Sequence, residues 1–278
     1  MGMQMELIIM TYIVIIPSRC KQSESSMYES VLKSLLNQEL KPRKIFFVGY
    51  KSSSSLTSFV DGIDYLLIDG IDSPPFMAGI DLINAGIAYA TSKDHIAISG
   101  DDCIYPKTYF KQLNDWIEYN KHIGIISGLR LEKGIIESER KVMPSGSGRI
   151  YTNRITLQIF PHPHINCGET LFLFQCEMLG FKNEINPTAI FEHLRPSKKE
   201  SLTSSGLASY ELGYPLIQSI ARITLWFLTE RKIKISFLYG HIHAYLLHYP
   251  KADNDVLKFV KTSIKYKYIN LIHQVIKS

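Results

Sequence analysis

The chain has 278 residues, 45% of them hydrophobic and 21% charged, with a formal net charge of +5 and a pI near 8.8. This is a globular composition, long enough for one large domain or a domain with an appendage. The basic excess suits an anionic partner such as a nucleotide phosphate or a lipid surface but is too small to argue for nucleic acid, and none is expected as a partner. Four cysteines, Cys20, Cys103, Cys167 and Cys176, form no C-x-x-C pair, which argues against a zinc site and a disulfide scaffold and for a reducing, cytoplasmic setting.

From the N-terminus, the run "LIIMTYIVII" is ten residues, half of the roughly 20 that a membrane span needs, and no basic segment precedes it. The opening "MGMQME" also lacks the Ser or Thr of a myristoylation signal. The apolar run is therefore read as a buried strand. "MYESVLKSLLNQ" puts Met27, Val31, Leu32, Leu35 and Leu36 on one helical face. "KIFFVGY" and "DYLLIDG" read as strands, "MAGIDLINAGIAYAT" as a helix and "HIAIS" as a fourth strand. "PKTYFKQLNDWIEYN" is a helix with Pro106 near its first turn, and "HIGIISGLRL" is a further strand.

Residues 132 to 167 are less regular, with "MPSGSGR" a loop by composition. "ETLFLFQCEMLGF" reads as a helix ending at Gly180, "TAIFEHL" as a strand and "RPSKKESLTSSG" as a polar, basic loop. Helical patterns fill the remainder.

Short apolar strands alternating with amphipathic helices imply an α/β fold whose parallel sheet is covered on both faces. Ligands of such sheets bind at the carboxyl ends of strands. Asp101 and Asp102 fall at such an end, as do Pro17, Ser18, Arg19, Gly49, Tyr50 and Asp69. Adjacent carboxylates repel, and without a cation or donors one tends to stay protonated. A hard divalent ion, Mg²⁺ or Mn²⁺, removes that conflict and acts as a Lewis acid on a phosphate leaving group. The other reading of a bare Asp-Asp is a solvated turn capping the next helix.

Four segments together resemble the family 2 glycosyltransferases, which share the GT-A fold. They are "YIVIIPSRCKQSESSMYESVLKSLLNQELKPRKIFFV", "INAGIAYATSKDHIAISGDDCIYP", "GETLFLFQCEMLGFKNEINPTAIFEHL" and "GLASYELGYPLIQSIAR". The resemblance implies a Rossmann-like, mostly parallel sheet flanked by helices over residues 1–205, then a helical C-terminal region over 206–278. It implies an inverting hexosyltransferase taking a UDP-, GDP- or dTDP-sugar with Mn²⁺ or Mg²⁺. The acceptor would be a glycan, a lipid-linked molecule or a protein.

By position, the resemblance implies that Asp101 and Asp102 hold the metal on the donor diphosphate, with Asp102 in direct contact. His193 would complete the metal site. Glu169 would take the proton from the acceptor hydroxyl. Pro17, Ser18 and Arg19 would form the donor-binding turn, with Tyr50, Asn84 and Asp101 also on the donor. Arg195, Lys198 and Lys199 could clamp phosphate.

Three positions depart from the family pattern. Gly49 and Tyr50 stand where an acidic pair usually succeeds the second strand, and Ser99 stands for the first Asp of the longer aspartate motif. Glu169, preceded by Gly168, stands for the usual Asp of the base. These leave the nucleotide base open and admit a degenerate GT-A protein that only binds a nucleotide or glycan. A nucleotidyltransferase is the other alternative, but "PSRCKQSESS" lacks the glycines its phosphate loop would want.

The segment "YPLIQSIARITLWFLTERKIKISFLYGHIHAYLLHYPK" is apolar but interrupted by Arg222, Glu230, Arg231, Lys232 and Lys234. Its helices either pack on the catalytic domain or lie at a membrane surface with basic residues toward anionic headgroups.

Overall fold

The computed structural model describes residues 11–18, 22–51, 60–69, 75–136, 143–161, 163–165, 167–195, 201–231 and 234–262. The chain divides into two compact units, Met1–His162 with Gly180–Pro196, and Pro163–Leu179 with Ser197–Ser278. The sequence suggests a single boundary near 205. Segment 163–179 groups with the residues after 196.

The first unit carries one nine-stranded sheet among the described residues. Its strands are β1 (Thr11–Pro17), β2 (Lys44–Tyr50), β3 (Asp64–Ile68), β4 (Asp94–Ile98), β5 (Cys103–Ile104), β6 (Ile123–Glu132), β7 (Ile135–Ile136), β8 (Arg149–Tyr151) and β9 (Lys182–His193). They lie in the order β3-β2-β1-β4-β8-β6-β9-β5, with β7 paired to β6. Helices α1 (Ser25–Leu36), α2 (Pro75–Ile87), α3 (Tyr109–Tyr119) and α4 (Asn153–Ile159) belong to this unit.

The half β3-β2-β1-β4 is parallel. Its central strands are buried along nearly their whole length, which is why they read as continuous apolar runs. Tyr28, Val31, Leu32 and Leu35 of α1 recur at helical spacing and join Val14, Ile16 and Phe47 in the main core. On α2, a Cβ at Gly86 would lie 2.7 Å from the Ile15 side chain, so glycine permits the close approach of helix to strand.

Beyond β4 the sheet is mixed. β8 runs antiparallel to both β4 and β6, while β9 runs parallel to β6. β8 and α4 fall in the stretch that is irregular by sequence. Both are short, and "RIY" has no periodicity to betray a strand. β9 is 12 residues, longer than the "TAIFEHL" expected, and a register shift opposite Gly128–Leu129 interrupts it. A Cβ at Gly128 would lie 2.0 Å from the Ala189 carbonyl oxygen, so only glycine fits at that bulge.

The second unit is helical. It contains α5 (Gly168–Met178), α6 (Leu202–Glu211), α7 (Leu216–Glu230), α8 (Ile235–Leu246) and a helical stretch over 254–262. α6 therefore starts within the segment expected to be a loop, whose residues 196–200 lie outside the described set. α6 and α8 cross closely: a Cβ at Gly206 would lie 1.9 Å from the Phe237 carbonyl oxygen, and one at Gly240 would lie 2.0 Å from that of Thr203. A smaller core gathers Cys167, Leu171, Leu212, Val256 and Val260.

Candidate functional site

The strand order places a reversal at β1. The chain runs outward through β2 and β3, then returns to set β4 on the other side of β1. The carboxyl ends of β1 and β4 lie side by side at that reversal, the position where open α/β sheets bind ligands. Ser18 succeeds β1 and Ser99–Asp102 succeeds β4. The two turns are tied to the sheet by Ser18 N–H on the Val48 carbonyl at 2.9 Å and Ser99 N–H on that of Ile15 at 3.0 Å.

Asp101 and Asp102 are both nearly buried, at 9% and 8% exposure. The Ser18 hydroxyl donates to Asp101 Oδ2 at 2.6 Å. Arg195 spans the pair: its Nε donates to Asp102 Oδ2 at 2.8 Å, and its Nη2 donates to Asp101 Oδ1. The same guanidinium reaches Glu24 Oε2 through Nη1 at 3.3 Å, and Tyr28 donates to that carboxylate at 2.9 Å.

His193 arrives by strand pairing. β5 runs antiparallel to the end of β9, with Cys103 opposite His193, and Leu194 N–H donates to the Asp102 carbonyl at 2.8 Å. This sets His193 Nε2 3.4 Å from Asp102 Oδ2. His193 Nδ1 is buried without a hydrogen-bond partner. Ligand atoms of Asp102, Cys103 and His193 all lie within 4.8 Å of one another.

Burial pushes the Asp102 carboxyl up from its ordinary value, opposed by the neighbouring His193 and the thiol hydrogen bond from Cys103. Burial, with Asp102 adding to it, pushes the Cys103 thiol up to about 12. In the metal-free site the thiol keeps its proton, which an ion would have to displace before Cys103 could join it, so the donors ready as they stand exclude the thiol. What remains is carboxylate oxygen and imidazole nitrogen, a donor set that suits Mn²⁺. His193 Nε2, 3.4 Å from Asp102 Oδ2, and the adjacent carboxylates fit such an ion.

Two features here are not foreseen from the sequence. Glu24 lies in the polar turn after β1, with no motif to mark it. The loop 143–148 stands against the aspartate turn: a Cβ at Gly100 would lie 2.9 Å from Ser147 Oγ and 2.8 Å from Asp102 Oδ1. That loop is held by buried Arg149, which donates to the carbonyls of Ser145 and Pro144 at 2.8 and 2.9 Å. The "SGSGR" composition was the available signal.

The other expected residues are more scattered. Pro17 ends β1, half-buried. Tyr50 ends β2 at 2% exposure, and its hydroxyl donates to Asp81 Oδ2 of α2 at 3.4 Å. Its ring offers no open face on which a base could stack. Asn84 lies half-buried on α2. Arg19, Lys198 and Lys199 lie outside the described residues. Glu169 sits exposed in the first turn of α5, in the helical unit. There the Cys167 N–H donates to the buried carboxylate of Glu211 at 2.9 Å, fixing the start of the helix.

Comparison with solved structures decides the fold. The chain superposes on mannosyltransferase PcManGT from Pyrobaculum calidifontis, in complex with GDP-Man and Mn²⁺, with a TM-score of 0.53 and 10% identity, over 92% of this chain and 79% of that one. The fold is GT-A-like. It also matches S. aureus TarS 1–349 in complex with UDP-GlcNAc, with a TM-score of 0.52 and 11% identity, over 73% of this chain and 66% of that one. A further S. aureus TarS structure matches with a TM-score of 0.51 and 12% identity, with the chain spanning 40% of its length. No protein-family model and no curated protein matches the sequence. Within the GT-A-like fold, the aspartate turn stands at the carboxyl end of β4, beside that of β1.

Proposed function

We propose that this protein is a glycosyltransferase that moves a sugar from a nucleoside diphosphate donor to an acceptor hydroxyl by inverting displacement. The observation that carries this reading is the joining of Asp101, Asp102 and His193 at the carboxyl end of β4, where the strand order reverses. The GT-A-like fold supports it, as do the nucleotide-sugar complexes formed by proteins of similar structure.

In this reading Asp102 and His193, with Asp101 beside them, hold Mn²⁺ or Mg²⁺. A bound ion would supply charge neutralisation on the donor diphosphate. Pro17, Ser18 and Arg19 take the donor at the end of β1, and Ser18 also keeps Asp101 oriented through its hydroxyl. Tyr50 and Asn84 are the further residues assigned to the donor. Glu169 accepts the proton of the attacking hydroxyl, which needs a positioned base for deprotonation in the transition state. UDP-, GDP- and dTDP-sugars are the donor classes, and a glycan, a lipid-linked molecule or a protein is the acceptor class.

The test is donor hydrolysis across a panel of nucleotide-sugars with Mn²⁺, Mg²⁺ or chelator, read as released nucleoside diphosphate. Metal-dependent release from one donor class is expected. Binding of nucleoside diphosphates without turnover of any donor, with or without added acceptors, would instead support a degenerate binding protein. Release of pyrophosphate from a nucleoside triphosphate would support a nucleotidyltransferase.

A further inference from the structure

The helical unit carries an unusual surface. Ten of the 21 exposed large hydrophobic side chains among the described residues fall within 216–247. On α7, Ile217, Ile220 and Phe227 are exposed at 70%, 43% and 45%, at spacings that keep them on one side of the helix. On α8, Ile235, Tyr239 and Leu246 are exposed at 64%, 59% and 65%, again on one side. The opposite sides are occupied: Ser219 Oγ lies 3.0 Å from His241 Nδ1, and the Trp226 and Phe237 rings meet edge-on at 5.3 Å. Apolar exposure on this scale marks a surface that meets something other than water.

Charge indicates what it meets. The unit's sequence holds 12 Lys and Arg against seven Asp and Glu, so the chain's whole +5 resides there and the sheet-bearing unit is neutral. Within 216–251 the cations are Arg222, Arg231, Lys232, Lys234 and Lys251, and the one acid is Glu230. Arg231 caps α7 and Lys234 caps the start of α8, so a basic residue stands at the end of one exposed apolar face and at the start of the next. The Lys234 ammonium lies 4.4 Å from the Trp226 ring centroid, a cation–π contact that holds the charge at the α7–α8 junction. Among the described residues no helix is long and apolar enough to cross a membrane.

We propose that α7 and α8 dock on an anionic lipid surface, with the apolar sides entering the headgroup boundary and the capping residues Arg231 and Lys234 meeting lipid phosphates. Apolar insertion plus basic attraction is how amphipathic helices bind a bilayer without spanning it. A second copy of the chain is the less favoured occupant. Self-association through this face would set basic residues against their own kind, with Glu230 as the lone acid in 216–251 to offset them.

The test uses the full chain with vesicles of phosphatidylcholine alone or mixed with phosphatidylglycerol, read by flotation at low and high salt. Selective flotation with the anionic vesicles, weakened by salt, is expected. Arg231→Gln and Lys234→Gln should each weaken partitioning about fivefold. Ile217→Ser with Tyr239→Ser should abolish flotation while the circular-dichroism melt stays close to that of the parent. Three results would overturn the proposal: no flotation at low salt, equal flotation with neutral vesicles, or a concentration-dependent dimer that the Ile217→Ser, Tyr239→Ser variant dissolves. Were the double variant to misfold, the lipid and salt comparison on the parent chain still decides. None of these readouts depends on transferase activity.

Discussion

Arg195 grips the carboxylate of Asp102 through Nε at 2.8 Å while its Nη2 holds Asp101, so one guanidinium bridges the two adjacent acids. A divalent ion at these carboxylates would compete with that guanidinium for the same oxygens. Arg195 at 38% side-chain exposure is accessible enough to turn outward. The expected outcome is that Arg195→Ala binds Mn²⁺ more tightly by calorimetry or by loss of the free-ion electron-spin signal, and binds nucleoside diphosphate more weakly. Unchanged Mn²⁺ affinity would show that the arginine and the ion do not compete.

Asp102→Ala is expected to leave the fold standing, because Asp102 lies in a turn at a strand end and its backbone bond to Leu194 persists. Nucleoside diphosphate binding should lose its dependence on Mn²⁺, and donor hydrolysis should fall to background. Full activity of this variant, or full activity in excess chelator, would remove the metal from the mechanism.

Glu169→Gln keeps the shape of the side chain and removes its basicity. Turnover should fall by ~10²-fold or more, in line with general-base contributions. Donor affinity should barely change. A matching loss of donor affinity would place Glu169 on the donor rather than on the acceptor.

His95 gives the fold a pH dependence. Its Nδ1 accepts from the Asn153 N–H at 2.8 Å, and burial, reinforced by the positive charge of Arg154, pulls its pKa down to about 3. Between about 3 and the unfolded value near 6.5, the unfolded chain binds a proton that the folded chain refuses. Stability therefore falls as pH drops below 6.5 and continues to fall until about 3, by a few kcal/mol at most. His95→Gln should flatten the melting temperature against pH in that window. An unchanged slope would assign the acid sensitivity to other groups.

Gly206→Ala should destabilise the helical unit by about 1–3 kcal/mol, the usual cost of forcing extra volume into a packed contact. The added Cβ would lie 1.9 Å from the Phe237 carbonyl oxygen, a backbone atom that cannot swing aside. Chemical denaturation read by tryptophan fluorescence measures this directly, since Trp226 packs on Phe237.

The sequence by itself determined the parallel half of the sheet. Strands buried on both faces must be apolar at every position, so "YIVII", "IFFV" and "HIAI" declared themselves, and the amphipathic helices between them fixed the parallel sense. It also placed Asp101 and Asp102 at a strand end, because they come directly after β4 in the chain. The resemblance named His193 for the same site, but only the tertiary structure supplies the contacts themselves and adds Arg195 and Glu24 to the carboxylates. His193 reaches Asp102 through the two-residue strand β5, and Arg195 reaches both acids from 93 and 94 residues away. Pairing that short leaves no period in the sequence, and contacts that distant are set by register across the sheet rather than by local propensity. Tyr50 shows the same limit. Its position at the end of β2 was legible, but its burial and its bond to Asp81 depend on where α2 packs, which no local pattern states.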